Sequence, residues 1–191
     1  MGEALLIIGP TGAGKTPLGE LIQERGYRGR KVCHVDFGAE LRKAAAGQNP
    51  AFDPDEAEGI QKILDSCRLL DESTYWIADR ILHPYSKKDI LALNGIPRTV
   101  KQAEYLGQMI DIAQVFVMNA SADTIKARIV GNTGGDRTGR VDDDLESIKK
   151  KFDIYNKMTL PLIDHYKDKC SVFHVEVKEH TTPREIYNLI C

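Results

Sequence analysis

Residues 9–16 read Gly9-Pro10-Thr11-Gly12-Ala13-Gly14-Lys15-Thr16 and decide the fold. The stretch follows an apolar run at residues 4–8 and precedes a segment with helical spacing of its apolar residues, which we expect to begin near Pro17. It fits the pattern G-x-x-x-x-G-K-[ST], in which glycines let backbone N–H groups face phosphate oxygens. We predict a phosphate loop in which Lys15 reaches the terminal phosphates and the hydroxyl of Thr16 ligates magnesium.

The rest of the chain alternates short apolar runs with segments of helical period. The runs predict buried strands at residues 4–8, 31–35, 89–94, 114–118 and 171–177. Alternation of this kind predicts an α/β fold, a P-loop three-layer sandwich of about five parallel strands with helices on both faces. We expect one domain over residues 1–191, with residues 38–82 and 131–141 as appendages at the carboxyl ends of strands, where ligands bind.

Composition excludes several classes of protein. Lys and Arg total 26 against 28 Asp and Glu, a net charge of −2, which lacks the positive excess of a dedicated nucleic-acid binder. The four cysteines form no CxxC pair, so we expect a reducing compartment and no zinc. No apolar run approaches the roughly 20 residues of a membrane span, and the N-terminus does not read as a signal peptide, so we expect a cytoplasmic protein without a membrane partner.

A second motif narrows the reaction. Residues 93–103 read Leu-Asn-Gly-Ile-Pro-Arg-Thr-Val-Lys-Gln-Ala and resemble the L-D-G-F-P-R-T-x-x-Q-A segment of adenylate kinases and related nucleoside monophosphate kinases. Residues 38–42 resemble the G-D-x-L-R helix start of the acceptor subdomain, and residues 68–70 resemble its K-L-V stretch. Residues 138–155 are similar to the S-G-R-x-D-D…I-x-x-R…Y pattern of the short-lid members.

The resemblance implies a magnesium-dependent, monomeric enzyme that transfers the γ-phosphoryl of ATP to AMP, with 38–82 as the acceptor-binding insertion and 131–141 as a short lid. It implies that the ATP-binding residues are Gly12, Ala13, Gly14, Lys15, Thr16, Pro17 and Arg128. The acceptor-binding residues would be Phe37, Arg42, Leu70, Arg98, Gln102 and Arg140. Lys15, Arg98, Arg128 and Arg140 would be catalytic, because cations at the transferring group supply most of the rate in phosphoryl transfer.

The residues themselves leave alternatives open. Gln102 lies three positions after Thr99, so it can serve a helix cap as well as recognise a base. Arg42 and Arg98 can be solvated surface residues. The acceptor can be another nucleoside monophosphate or a small metabolite, and a nucleotide-binding protein with weak transferase activity also fits the phosphate loop.

The chain departs from the family pattern in and around the expected site. Asn94 stands in place of an aspartate that orders magnesium, and we hypothesise that Thr16 offsets its loss through a direct metal contact. Phe37 replaces a threonine, so stacking on the base can change acceptor preference. Asn132 replaces a lid arginine, for which Arg137 is a substitute, and Lys151 replaces another arginine.

Overall fold

In a computed structural model of the chain, which describes residues 2–88, 90–135 and 145–191, one sheet forms the centre of the molecule. Its five strands are all parallel and lie in the order β2-β3-β1-β4-β5. The predicted α/β fold and its strands are confirmed. The strands are β1 Gly2–Ile8, β2 Cys33–Asp36, β3 Ile90–Asn94, β4 Ile110–Asn119 and β5 Ser171–Glu176.

Helices cover both faces of the sheet. They are α1 Lys15–Arg25, α2 Phe37–Ala45, α3 Pro54–Asp65, α4 Tyr75–Leu82, α5 Val100–Leu106, α6 Ala122–Val130, α7 Leu145–Ile154, α8 Pro161–Tyr166 and α9 Pro183–Ile190. A 3₁₀ turn, His83–Tyr85, follows α4, and a π-helical turn, Tyr155–Thr159, follows α7. Cap chemistry fixes several starts: Thr182 forms a capping box with Glu185, and Asp53 forms one with Glu56.

Strand β1 lies between two hydrophobic clusters, one on each face of the sheet. Ala4, Leu6 and Ile8 belong to the first cluster, whereas Leu5 and Ile7 belong to the second. Each of these five side chains is at most 2% exposed. Burial on both faces explains why the strand reads as an unbroken apolar run instead of an alternating one.

The elements differ from the predicted bounds by one to four residues, and β4 and α1 show the reasons. Strand β4 begins at Ile110 instead of residue 114. Ile110 and Ile112 are buried while Asp111 between them is exposed, so the early part of the strand is not a continuous apolar run and the prediction left it out. Helix α1 begins at Lys15, and Pro17 lies in its first turn, where its missing N–H would have no helical partner.

The insertions lie where the topology brings strand ends together. Helices α2, α3 and α4 follow β2 before the chain returns as β3, which matches the extra helical segments predicted for residues 38–82. Of the lid expected at 131–141, residues 136–141 lie outside the described part of the chain. None of the helices in the described ranges has both the length and the apolar character to cross a bilayer.

Candidate active site

The phosphate loop joins β1 to α1 and requires glycine at two positions. Gly12 and Gly14 have φ angles of 83° and 96°, in the left-handed region that favours glycine. A Cβ at Gly12 would lie 2.8 Å from Cγ1 of Ile129, and a Cβ at Gly14 would lie 3.0 Å from Nη2 of Arg128. Helix α6 therefore packs against the back of the loop and holds its curvature.

Lys15 and Thr16 open α1 beside the cleft. The Lys15 ammonium donates hydrogen bonds to the carbonyl oxygens of Gly9 at 2.9 Å and Pro10 at 2.8 Å, so the side chain curls back over the loop. The N-terminal end of α1 points toward the same opening, and its dipole adds to the charge of Lys15. This end of the loop is thus the most favourable place for the terminal phosphates of a nucleotide.

A carboxylate that the sequence analysis missed lies next to Thr16. The Thr16 hydroxyl donates to Oδ2 of Asp36 at 2.5 Å, and Nδ2 of Asn94 donates to Oγ1 of Thr16 at 3.1 Å. Asp36 ends β2 and Asn94 ends β3, and the two are register partners in the sheet. The signal that would have found Asp36 is its place at the carboxyl end of a predicted strand beside the loop.

The cleft has two compartments that share one wall. The first, about 160 Å³, lies over the phosphate loop and contains Lys15 and Thr16 in its lining. The second, about 150 Å³, lies between α2, the end of α3 and the segment after β3. Their shared wall consists of Gly38, Arg42, Gly95, Arg98 and Lys151.

Arg98 and Arg42 are the predicted cations of this wall, and the structure brings them together. The backbone of Arg98 is fixed twice, because its N–H donates to Oε1 of Gln102 at 2.7 Å and its carbonyl accepts from the Thr159 hydroxyl at 3.0 Å. Burial lowers the pKa of the Arg98 guanidinium from its usual value. Neither arginine forms a direct ion pair with a carboxylate in the described part of the chain, although the charge of Arg42 lies close enough to Asp36 to lower the pKa of that carboxyl.

Gln102 has a structural role in the fold, which is one of the two roles that the sequence left open. It is 3% exposed and lines the second compartment, where a base would lie. Its Nε2 donates to the carbonyl of Leu70 at 2.8 Å, and its own N–H bonds to the capping hydroxyl of Thr99 at 3.1 Å. The side chain therefore ties the segment at Leu70 to the Arg98 segment, and its contact with a base stays a prediction.

Phe37 and Leu70 form part of the apolar lining of the second compartment. Phe37 is 3% exposed and opens α2, and Leu70 is 6% exposed. Both also belong to the core cluster on this face of the sheet. An apolar wall of this kind accepts a planar base by stacking and contact, without a hydroxyl to bond it.

Arg128 occupies a different position from the one expected of a residue that closes over the transferring group. It is 2% exposed, and its Nε donates to the carbonyl of Gly12 at 3.1 Å. Its Nη1 bonds to the carbonyls of Lys178, Glu179 and Thr181 at 2.9 to 3.0 Å. These bonds tie the phosphate loop to the segment after β5, so the side chain supports the loop from behind.

The remaining predicted residues belong to the phosphate loop and to the expected lid. Ala13 is fully buried and neither it nor Pro17 lines the first compartment, so a contact of Ala13 with phosphate would come from its backbone N–H. Arg140 and Arg137 lie outside the described residues. Asn132 is described and has a φ of 44° just after α6.

The structure adds Tyr155 and Thr159 to the lining of the first compartment. It also places Lys151 of α7, which the resemblance sets in place of an arginine, in the shared wall. Burial raises the pKa of Tyr155 to about 12, so its hydroxyl stays neutral. Lys151 keeps a positive charge where the family pattern has an arginine, although it lacks the planar fork.

Comparisons with known proteins agree with this geometry. The family model described as adenylate kinase matches residues 7–171. The chain is 31% identical to an adenylate kinase of Rhodopirellula baltica, over 92% of this chain and 87% of the relative. It is 30% identical to adenylate kinase 1 of a Nostoc species, over 86% and 85% of the two chains. An adenylate kinase of Kluyveromyces lactis is 28% identical, over 85% and 82%.

Proposed function

We propose, from the premise that the chain belongs to the adenylate kinase family and is an ATP-dependent nucleoside monophosphate kinase, that the γ-phosphoryl crosses the shared wall of the two compartments. The observation that carries this proposal is the wall itself. Arg42, Arg98 and Lys151 line both compartments and lie on three different elements of the chain. A group that passes between the compartments meets these cations throughout its path.

The donor ATP would bind in the first compartment. Its phosphates would accept hydrogen bonds from backbone N–H groups of residues 11–14 and from the ammonium of Lys15, which exchanges its bonds to the loop carbonyls for bonds to phosphate. Arg128 keeps the loop in register with the segment after β5 and acts as a positioning residue. The acceptor AMP would bind in the second compartment, with its phosphate between Arg42 and Arg98 and its base near Gln102 and Phe37.

The reaction then requires little covalent chemistry from the protein. A phosphate oxygen of AMP attacks the γ-phosphorus, the bond to the β-bridging oxygen breaks, and the leaving ADP retains that oxygen. Because the attacking phosphate is an anion, no general base has to remove a proton. The two arginine forks and Lys151 align the reactants and stabilise the charge on the transferring oxygens, which is where the rate arises.

Magnesium fits the first compartment. Mg²⁺ prefers oxygen donors, and the Thr16 hydroxyl and the Asp36 carboxylate supply them beside the phosphate loop. Held there by Thr16 and Asp36 together with ATP, the ion would neutralise part of the charge of the phosphates. The residues present therefore suit a magnesium–ATP donor, as the sequence analysis proposed for Thr16.

We also propose an oligomeric state, a cellular location and the bounds of two insertions. A monomer is sufficient, because one chain provides the lining of both compartments. The four cysteines are unpaired, which suits a reducing cytoplasm. We retain residues 38–82 as the acceptor insertion, residues 131–141 as the lid and Arg140 as a lid arginine.

A coupled assay of ADP formation tests the proposal. ATP is supplied with AMP, CMP, UMP or GMP at several magnesium concentrations, and we expect turnover with AMP that depends on the metal. Arg98→Ala should lower kcat by about 10³-fold or more, while Arg184→Ala, a matched change on the exposed face of α9, should leave it unaltered. Absence of ADP with every acceptor would overturn the proposal, and a preference for CMP, UMP or GMP would reassign the acceptor.

A further inference from the structure

The carboxyl ends of β2 and β3 place an acid and an amide side by side at the phosphate loop. Nδ2 of Asn94 lies 3.2 Å from Oδ2 of Asp36 and 3.1 Å from Oγ1 of Thr16. A carboxylate only accepts hydrogen bonds, so the amide nitrogen of Asn94, which cannot ligate a metal, is the atom that faces the loop. The negative charge at this edge therefore lies on β2.

The two oxygens of Asp36 have separate roles. Oδ1 accepts the backbone N–H of Ala39 at 2.9 Å and caps α2, whereas Oδ2 faces Thr16 and the cleft. Helix α2 also carries Arg42 in its last turn. One side chain thus fixes the start of the helix that carries an acceptor-site arginine and presents an oxygen beside the phosphate loop.

Three donors hold the Asp36 carboxylate in place beside the phosphate loop: the Thr16 hydroxyl, the Ala39 N–H and Nδ2 of Asn94. Among the lining residues described for the first compartment, Asp36 is the only acid. It is therefore the one carboxylate that the described lining residues offer to a ligand in this compartment.

We propose that Asp36 is the carboxylate that orients the metal of magnesium–ATP in this chain, that Thr16 is its partner, and that Asn94 is a neutral positioning residue. The family pattern has an aspartate at the end of β3, where this chain has Asn94. In this chain the acid is Asp36, the register partner of Asn94 on β2. This inference rests on the proposed function, because it requires ATP in the first compartment.

The test measures metal-dependent binding and needs no turnover. ATP is titrated calorimetrically into the protein without AMP, once with saturating Mg²⁺ and once with a chelator. The Kd with chelator divided by the Kd with Mg²⁺ gives the factor by which the metal strengthens ATP binding. Asp36→Asn should lower this ratio about 10-fold or more. Asparagine caps helices as well as aspartate does, so the start of α2 should survive the change.

A matched control separates charge at the cleft from loss of a cap. Asp53 caps α3 in the same manner, with its carboxylate accepting the N–H of Glu56 at 2.9 Å, but it lies outside both compartments. Asp53→Asn should leave the ratio unchanged. Should Asp36→Asn not fold, Asp36→Ser keeps a capping oxygen and gives the same comparison.

Exchanging the two residues provides the positive arm. The double variant Asp36→Asn, Asn94→Asp has the acid on β3 and the amide on β2. Recovery of the Kd ratio to within threefold of the native value supports the proposal. An unchanged ratio in Asp36→Asn overturns it. If the native protein instead makes no ADP with any acceptor, the proposed function fails, while the ratio still reports on Asp36.

Discussion

Replacing Gly19 by alanine should destabilise the fold, although alanine is the better helix former. Gly19 lies in the middle of α1 and is buried. At an open helical position the change stabilises a protein by about 1 kcal/mol. At Gly19 the new Cβ would lie 2.2 Å from Nε2 and 2.3 Å from Cδ2 of His34, far inside the 3.4–4 Å of ordinary contact.

The size of the effect follows from two opposing contributions. His34 lies on β2, and its backbone N–H is bonded to Oε1 of Gln23 on α1 at 2.9 Å, so the strand and helix cannot separate freely. Overpacking of a core costs about 1–3 kcal/mol, and overlap with several ring atoms places Gly19 at the upper end. After subtracting the helical gain, we expect a net loss of about 2 kcal/mol, which lowers Tm by about 4–8 °C in a chain of this length.

Urea unfolding followed by circular dichroism measures this difference. Gly59 is the matched control, because it lies in α3 and nothing comes within 4 Å of a Cβ built there, so Gly59→Ala should stabilise by about 1 kcal/mol. In a His34→Ala background, Gly19→Ala should change sign and stabilise. If Gly19→Ala stabilised the native protein as Gly59→Ala does, the steric argument would be refuted.

Three further predictions concern buried polar side chains. Burial lowers the pKa of His34. The unfolded chain therefore binds the proton more readily, and the free energy of unfolding should fall as the pH is lowered from about 7 to about 5. In urea titrations the free energy of unfolding should depend less on pH in His34→Gln, and an equal dependence would contradict this. Gln102→Ala should lower stability by about 1–3 kcal/mol, because it leaves the Leu70 carbonyl and Arg98 N–H without their partner, and should raise KM for AMP. A raised KM with unchanged stability would assign Gln102 to the base alone. Arg128→Ala should lose at least about 2 kcal/mol and weaken ATP binding in calorimetry, since several carbonyls lose a charged donor; unfolding at the native urea midpoint would argue against the supporting role.

The parts of the fold that the sequence predicted are those determined by local pattern. Buried strands in a parallel sheet read as short apolar runs, and the phosphate loop has a fixed spacing of glycines. Each of these signals is contained within about ten consecutive residues. The resemblance to a kinase family then predicted the arginines of the shared wall, and Arg42 and Arg98 lie together as expected.

The parts that it missed depend on which strands become neighbours. Asp36 meets Asn94 only because β2 pairs with β3, and no local pattern gives that order. Arg128 reads as a helix residue near a lid, yet its partners lie about 50 residues later along the chain, after β5. The resemblance sets Lys151 in place of an arginine, but its position in the wall between the two compartments depends on how α7 packs.

The charges that line the first compartment indicate how its one described acid affects the binding of ATP with and without magnesium. Lys15, Arg42, Arg98 and Lys151 line the first compartment, and Asp36 is the one acid among its described lining residues. Two like charges 4 Å apart near a protein surface repel by about 4 kcal/mol, so this carboxylate opposes the phosphates of free ATP. Capping α2 does not require that charge, because asparagine or serine would cap as well. A metal ion between carboxylate and phosphate turns the repulsion into attraction on both sides, so Asp36 should make the cleft favour magnesium–ATP over free ATP more strongly than a neutral residue would.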